Sequence, residues 1–143
     1  MAKRGGSDGY VELPTRPQEP WRSADVGLAD NRTRRLTIVE CWNTVGDVGA
    51  AVRSSVRKVT EAEALAAARW GTERQPVGLA WVVRATARNR ALLARYPEVF
   101  ARSFSGSSRA WLMALTTASR SPIQPGLVWC DVNATRLFEW HRP

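Results

Sequence analysis

Histidine and cysteine are scarce in this 143-residue chain, which has one histidine, His141, and two cysteines, Cys41 and Cys130. Zinc sites take three or four such ligands at short, regular spacings, and the two cysteines form no Cys-x-x-Cys pair. We therefore predict no metal site and assign no residue a catalytic role. Cys41 and Cys130 are interpreted as free thiols that pack as small apolar residues in a reducing cytoplasm.

Nucleotide-binding glycine motifs and long apolar segments are also lacking. Neither GxxxxGK[ST] nor GxGxxG occurs in the chain, so we expect no nucleotide cofactor. No apolar run approaches the roughly 20 residues that a membrane-spanning helix requires. No apolar signal segment opens the sequence, and we expect a cytoplasmic protein without a membrane partner.

Lysine is almost absent, although the chain is strongly basic. The net charge is +8, from 21 basic and 13 acidic side chains, and Lys3 and Lys58 are the only lysines. The excess lies in residues 75–126, which carry seven arginines and one glutamate. Arginine binds phosphates and base edges through two parallel hydrogen bonds, so this segment favours a polyanionic partner. The alternative is that arginine serves here only as a solvated surface residue.

Proline, glycine and mixed charge mark the beginning of the chain. Residues 1–20 contain three prolines and show neither a helical nor an alternating period, which predicts a flexible N-terminal arm. Residues 21–143 are expected to form a single helical domain. Its many tryptophans are expected to be mainly core anchors, because each buries a large apolar area.

The segment from Glu61 to Tyr96 is expected to organise the domain as a pair of helices. Asp47 is a plausible N-cap for a preceding helix, and Thr60 with Glu63 matches a capping box that would start a helix ending near Gly71. Residues 77–96, between two prolines, predict a second long helix. The stretch 36–43 is compatible with strand or helix, and we prefer helix because no neighbouring strand is evident.

Three arginines align on the predicted helix 77–96. At 100° per residue, Arg84, Arg88 and Arg95 fall within 40° of one another, next to an apolar stripe that includes Trp81 and Leu92. A basic row beside an apolar face would suit a phosphate backbone. It would equally suit a half-buried helix whose arginine stems cover the edge of the core.

The last third of the chain predicts a helix followed by a β-hairpin. Ser108 is a candidate cap for the helix, and residues 127–132 and 136–140 read as strands joined by a three-residue loop. The fold class predicted is mainly α, a small helical domain with a C-terminal β-hairpin. Its element order is that of a winged helix-turn-helix domain. The nucleic-acid-binding residues this implies are Arg84, Arg88, Arg95, Ser107, Ser108, Arg109, Thr116, Arg120 and Arg136.

These observations predict a small basic nucleic-acid-binding protein of regulatory or accessory type without catalysis, with DNA preferred to RNA as the partner. The alternative is a structural or adaptor protein that binds another protein, or a second copy as a homodimer, through exposed Trp21, Trp70 and Trp140. A third hypothesis is a phosphodiester-cleaving enzyme. Its candidate carboxylates lack the spacing of a metal site: Glu40, Glu61, Glu63 and Glu73.

Overall fold

The computed structural model describes residues 10–12 and 24–142. For residues 10–12, 24 and 25 it describes the backbone alone. Six strands are present in this part: β1 (Tyr10–Glu12), β2 (Ala24–Asp30), β3 (Arg35–Trp42), β4 (Gly78–Arg84), β5 (Gly126–Cys130) and β6 (Leu137–Glu139). The helices are α1 (Val48–Trp70), α2 (Ala87–Arg95), α3 (Pro97–Ser103) and α4 (Ser108–Thr117). The fold is therefore α/β, and the predicted mainly α fold class is wrong.

The strands form one mixed sheet in sequence order, β1-β2-β3-β4-β5-β6. β1, β2 and β3 are antiparallel neighbours, whereas β3, β4 and β5 run parallel, and β6 returns antiparallel to β5. Helix α1 connects β3 to β4, and α2, α3 and α4 lie between β4 and β5. Parallel neighbours require such crossovers, and antiparallel neighbours do not.

Strand β4 occupies most of the first half of the helix predicted over 77–96. The six residues from Gly78 to Val83 are all buried, and Leu79, Trp81 and Val83 face one layer of the core while Ala80 and Val82 face the other. A parallel strand covered on both faces reads as a continuous apolar run. Such a run also fills an apolar stripe on a helical wheel, and this is why the helix prediction was wrong.

Two layers of helices cover the two faces of the sheet. On one face, α1, α2 and α3 contribute Ala62, Leu93, Phe100 and other residues to the larger core. Trp81 lies at its centre, with its ring centroid 4.6 Å from that of Phe104. On the other face, α4 contributes Trp111, which is fully buried against β4 and β5. The core is therefore divided by the sheet.

Helix α1 is continuous where two helices were predicted. Asp47 caps it as expected, accepting a hydrogen bond from the Ala50 amide at 3.0 Å, and Gly71 ends it with φ of 68°. Thr60 lies in its interior and donates its hydroxyl to the Val56 carbonyl at 3.1 Å. The capping-box prediction was wrong, because packing of the α1 alanines against the sheet carries the helix past Thr60.

Residues 36–43, for which helix was preferred, belong mainly to strand β3. The missing neighbour strands are supplied by distant parts of the chain: Val39 pairs with Val26 on one side and with Ala80 on the other. β-Branched residues suit this pleated, buried position. The strand alternative at this stretch is therefore confirmed.

The C-terminal strands form as predicted, but they are not the wing of a winged helix-turn-helix domain. β5 lies inside the sheet, parallel to β4, and only β6 extends it at the edge. Ser107 rather than Ser108 caps α4, accepting from the Ala110 amide at 3.0 Å. Because α4 packs on the sheet through Trp111, it is not an isolated recognition helix.

Part of the predicted N-terminal arm joins the sheet, since β1 pairs with β2 from Tyr10 opposite Leu28 to Glu12 opposite Val26. The rest of the arm lies outside the described residues. Within residues 10–12 and 24–142, no helix has the length and apolarity required to cross a bilayer.

The contact between Trp111 and Gly126 gives a test of the fold. A Cβ at Gly126 would lie 1.9 Å from Trp111 Cδ1, so Gly126→Ala should force α4 away from β5 and lower the free energy of unfolding by about 1–3 kcal/mol. Gly46→Ala is the matched control, because a Cβ there meets no atom within 4 Å. Urea unfolding of both variants checks this. Equal stability of the two would contradict the packing of α4 on β5.

Candidate nucleic-acid interface

The carboxyl ends of β3, β4 and β5 meet at one edge of the sheet, where two helices also begin. α1 starts six residues after β3 ends, and α2 starts three residues after β4 ends. Thr86 caps α2 by accepting a hydrogen bond from the Asn89 amide at 3.1 Å. Helix N-termini carry a partial positive charge, so the backbone alone makes this edge favourable for anions. We call the surface formed here by Arg84, Arg88, Arg90 and Arg136 the carboxyl edge.

Asn89 holds the loops of the carboxyl edge together. Its side chain is fully buried. Its Oδ1 atom accepts from the Val45 amide at 3.1 Å, and its Nδ2 atom donates to the carbonyls of Asn43 and Arg84 at 3.0 and 2.9 Å. One side chain thus joins the ends of β3 and β4 to the first turn of α2. The sequence does not point to Asn89, because an asparagine in a first helical turn carries no distinctive signal.

Arg90 and Arg136 lie over aromatic rings at this edge. The Arg90 guanidinium carbon is 5.4 Å from the centroid of Trp129 and 5.9 Å from that of Phe138, and its Nε donates to the Ala85 carbonyl at 3.1 Å. The Arg136 guanidinium is 5.7 Å from the Phe138 centroid. These cation–π contacts orient the arginines without neutralising their charge.

The loop between β5 and β6 presents Arg136. Asp131 accepts hydrogen bonds from the Thr135 hydroxyl at 2.5 Å and from the Arg136 amide at 2.9 Å, and Ala134 adopts a left-handed φ of 57°. The Thr135 hydroxyl first, and then the Arg136 amide, hold the pKa of Asp131 below its ordinary value. The Asp131 carboxylate is thus occupied in closing the loop.

Arg84 and Cys130 are neighbours at the ends of β4 and β5, where they are register partners. Burial first, and then the Asp131 charge, raise the pKa of the Cys130 thiol, while the Arg84 charge acts in the opposite direction. Cys130 is a free thiol, as predicted, whereas Cys41 is exposed rather than a core residue.

The structure separates the predicted binding residues into two groups. Arg84, Arg88 and Arg136 all lie at the carboxyl edge. Arg84 is on β4 and follows Ala80 and Val82 towards the α4 face of the sheet, whereas α2 with Arg88 covers the other face. The predicted helical row is therefore broken at Arg84, and only Arg88 and Arg95 share a helix. Arg95 ends α2, about 10 Å along the helix from Arg88 at 1.5 Å per residue, and its guanidinium is 5.5 Å from the ring centroid of Tyr96.

The remaining predicted residues belong to α4 and the turns beside it, on the other side of the sheet. Ser107 is occupied as a helix cap. Ser108 is buried, donates to the Leu127 carbonyl at 2.6 Å and accepts from the Trp140 amide at 2.8 Å. Thr116 donates to the carbonyl of Leu112 at 2.7 Å. Arg109 and Arg120 are exposed, but neither lies at the carboxyl edge.

The aromatic patch expected of an adaptor protein does not form from Trp70 and Trp140. Trp140 is only 6% exposed, and the half-buried Trp70 donates its ring N–H to Asn31 at 3.1 Å. Trp21 lies outside the described residues. The adaptor hypothesis therefore lacks the observation that would favour it over nucleic-acid binding.

The four candidate carboxylates do not come together either. Glu40 is fully buried, Glu61 and Glu63 are exposed on α1, and Glu73 pairs with Arg34 at the surface. Among the described residues, no group of three or more histidine, cysteine, aspartate or glutamate side chains could hold a metal ion.

The Cys130 thiol can report on Arg84. In a Cys41→Ser background, Arg84→Gln should raise the pKa of Cys130 further and slow its reaction with a disulfide reagent at mildly alkaline pH several-fold, because less thiolate is present at a given pH. Arg102→Gln, an exposed arginine on α3, should leave the rate unchanged. Rates measured against pH with a chromogenic disulfide give the shift directly. An unchanged pKa in the Arg84 variant would show that the two side chains do not interact.

No protein-family model, no curated protein and no solved structure matches this chain. The assignment of a function therefore depends on the chemistry of the chain's own residues.

Proposed function

We propose that the protein is a small nucleic-acid-binding protein of regulatory or accessory type, and that it binds the phosphate backbone at the carboxyl edge. The observation that carries this proposal is that Arg84, Arg88 and Arg136 all lie at or just beyond the carboxyl ends of β4 and β5. None of the three forms an ion pair with any residue in 24–142.

The acidic groups near this edge are already engaged. Asp47 caps α1, and Asp131 closes the loop after β5. The N-termini of α1 and α2 add partial positive charge to that of the arginines. A phosphate approaching this edge therefore meets guanidinium groups that form no ion pair, together with helix amides, and is opposed by the ionised Asp131 carboxylate, which interacts with the Arg136 charge.

The residue type also fits the proposal. Arginine presents a planar set of donors that matches two phosphate oxygens, whereas lysine presents a single point charge. Arg88 and Arg136 are exposed, so they can reach a ligand without a change in the fold. The alternative is that these arginines only increase solubility. In that case replacing them should affect binding no more than replacing other exposed arginines, and the following test distinguishes the two explanations.

Replacing Arg84, Arg88 and Arg136 together by glutamine should reduce the slope of log affinity against log salt by roughly two to three, since each lost phosphate contact contributes about 0.7–0.9. Fluorescence anisotropy with labelled duplex DNA and single-stranded RNA, at several salt concentrations, measures the slope and compares the two nucleic acids.

The matched control replaces Arg57, Arg69 and Arg102 by glutamine. These three exposed arginines lie on α1 and α3, and the control has the same net charge as the test variant. Its slope should equal that of the unchanged protein. An equal loss in both variants would mean that only net charge matters, and no binding by the unchanged protein at low salt would refute the proposed function.

A second candidate function, cleavage of phosphodiester bonds, is favoured by the surroundings of Glu40. The Glu40 carboxylate is fully buried, accepts a hydrogen bond from the Ser55 hydroxyl and lies 3.1 Å from Lys58 Nζ. A nearby ammonium group can stabilise the charge that develops on a phosphoryl group.

The same contacts have a structural explanation. Ser55 also accepts from the ring N–H of Trp81 at 2.8 Å, so the network fastens α1 to the centre of the core. Burying an ion pair is costly unless its geometry is good, and removal of one partner is destabilising under either explanation.

Cleavage of labelled DNA and RNA in the presence of Mg²⁺ or Mn²⁺ decides between them. If Glu40 takes part, Glu40→Gln should abolish the activity while circular dichroism shows a folded protein, and Lys58→Met should reduce it. Arg102→Gln should retain full activity. The absence of cleavage by the unchanged protein with both metals would leave the Glu40 network a purely structural feature.

A further inference from the structure

A cavity of about 540 Å³ opens at the other end of the sheet, where β2 ends and β3 begins, beneath the C-terminal end of α4. Among the described residues that line it, three of the four charged side chains are basic: Arg32, Arg35 and Arg120, with Asp30 as the acidic one. Asp30 accepts hydrogen bonds from the backbone amides of Arg32 and Thr33, so its carboxylate is committed to the turn. The side chains around the cavity therefore carry a formal charge of +2.

Arg35 is the distinctive member of this group. It is only 8% exposed, and it forms no ion pair with a carboxylate among residues 24–142. Its Nη1 atom donates to the Ser121 carbonyl at 3.1 Å, its Nη2 atom donates to the Pro122 carbonyl, and its buried Nε has no hydrogen-bond partner within the described chain. Buried charges in proteins are normally paired. The Nε is sealed from solvent, but Nη1 and Nη2 each keep a second N–H group, through which a guanidinium beside a cavity can bind an anion.

The electrostatic environment supports this reading. Burial first, and then the positive charge of Arg120, lower the pKa of the Arg35 guanidinium, so two positive charges repel each other here in the absence of an anion. The carbonyl end of α4 opposes an anion, but its partial charge is only about half a unit. The net charge of +2 on the side chains outweighs it.

The rest of the lining is suited to an organic group. Trp111, Leu28 and Leu115 contribute apolar surface to the lining, and Thr33, Thr37 and Ser121 contribute hydroxyls. Arg35 and Trp111 both pack closely on Gly78, since a Cβ there would lie 3.0 Å from Arg35 Nη2 and 3.2 Å from Trp111 Cη2. The volume lies in the range of roughly 300–1,000 Å³ typical of small-molecule sites, which exceeds what a free phosphate ion fills.

We infer that this cavity is a binding site for a small organic phosphate, with its phosphate group between Arg35 and Arg120 and its apolar or aromatic body against Trp111 and Leu28. The site lies at the opposite end of the parallel strands from the carboxyl edge, and it does not depend on the proposed nucleic-acid function.

Isothermal titration calorimetry with phenyl phosphate and adenosine 5′-monophosphate tests the inference. Glucose 6-phosphate supplies a phosphate on a polar body, inorganic phosphate lacks an organic body, and adenosine lacks the phosphate. We expect phenyl phosphate and adenosine 5′-monophosphate each to bind with a dissociation constant of about 1 mM or lower. Both should bind more tightly than inorganic phosphate or glucose 6-phosphate, and adenosine should not bind measurably.

Arg120→Gln should weaken this binding at least about tenfold, because it removes a charge-assisted hydrogen bond from an exposed position without disturbing the core. Thr37→Val, which keeps the side-chain shape, is a second variant expected to weaken it. Arg102→Gln is the control on α3 and should leave the affinity unchanged. All variants should retain the nucleic-acid affinity of the unchanged protein, which keeps the two sites experimentally separate.

Three results would overturn the inference. The first is no heat of binding with either aromatic phosphate at about 1 mM. The second is inorganic phosphate binding as tightly as the organic phosphates, since the apolar wall would then contribute nothing. The third is binding that Arg120→Gln leaves intact but Arg88→Gln weakens, which would place the ligand at the carboxyl edge.

Discussion

The burial of β4 on both faces is the constraint on which the rest of the structure depends. Its six successive buried residues leave no polar side that could face water, so the sheet needs a layer of helices on each side. α1, α2 and α3 supply one layer and α4 supplies the other. Because the neighbours of β4 are parallel to it, the chain must return across the sheet in helices after β3 and β4. The positive ends of α1 and α2 at the carboxyl edge follow from this connectivity alone.

The two ends of the parallel strands differ in how their positive charge is exposed, and this difference suits ligands of different size. Charges on exposed side chains such as Arg88 and Arg136 are screened over about 8–10 Å at ordinary salt, so each contributes little and a long polyanion is needed to add several contacts. Arg35 is buried, and the lower effective dielectric around it strengthens each interaction. One anion bound in the cavity can therefore contribute more binding free energy than one phosphate bound at the open carboxyl edge.

The sequence allowed correct prediction of features that depend on a few adjacent residues. The cap at Asp47, the end of α1 at Gly71 and the two C-terminal strands belong to this class. β4 was missed because an all-apolar run has no period that separates a strand from a buried helix. The capping-box prediction at Thr60 was wrong because α1 continues past this residue, stabilised by packing against distant parts of the chain. The pairing of Val39 with Val26 and Ala80 likewise depends on distant residues, which a local sequence pattern does not predict. Asn89 and the Arg35 cavity depend on segments far apart in the chain, and no spacing rule brings them together.

The hypothesis of a polyanionic partner stays a prediction: the wrong fold class does not contradict it, because net charge does not depend on the fold, whereas charge density does. Of the seven arginines in residues 75–126, the carboxyl edge receives Arg84, Arg88 and Arg90, and it gains Arg136 from outside that segment. Arg109 and Arg120 lie on the side of α4, and Arg120 borders the cavity instead. Arg90 already donates to a backbone carbonyl and covers two rings, which leaves three arginines for phosphate contacts. The excess of six positive charges in residues 75–126 is therefore larger than the number of arginines available for phosphate contacts at this edge. A slope of log affinity against log salt of about two to three is the most that the edge can supply.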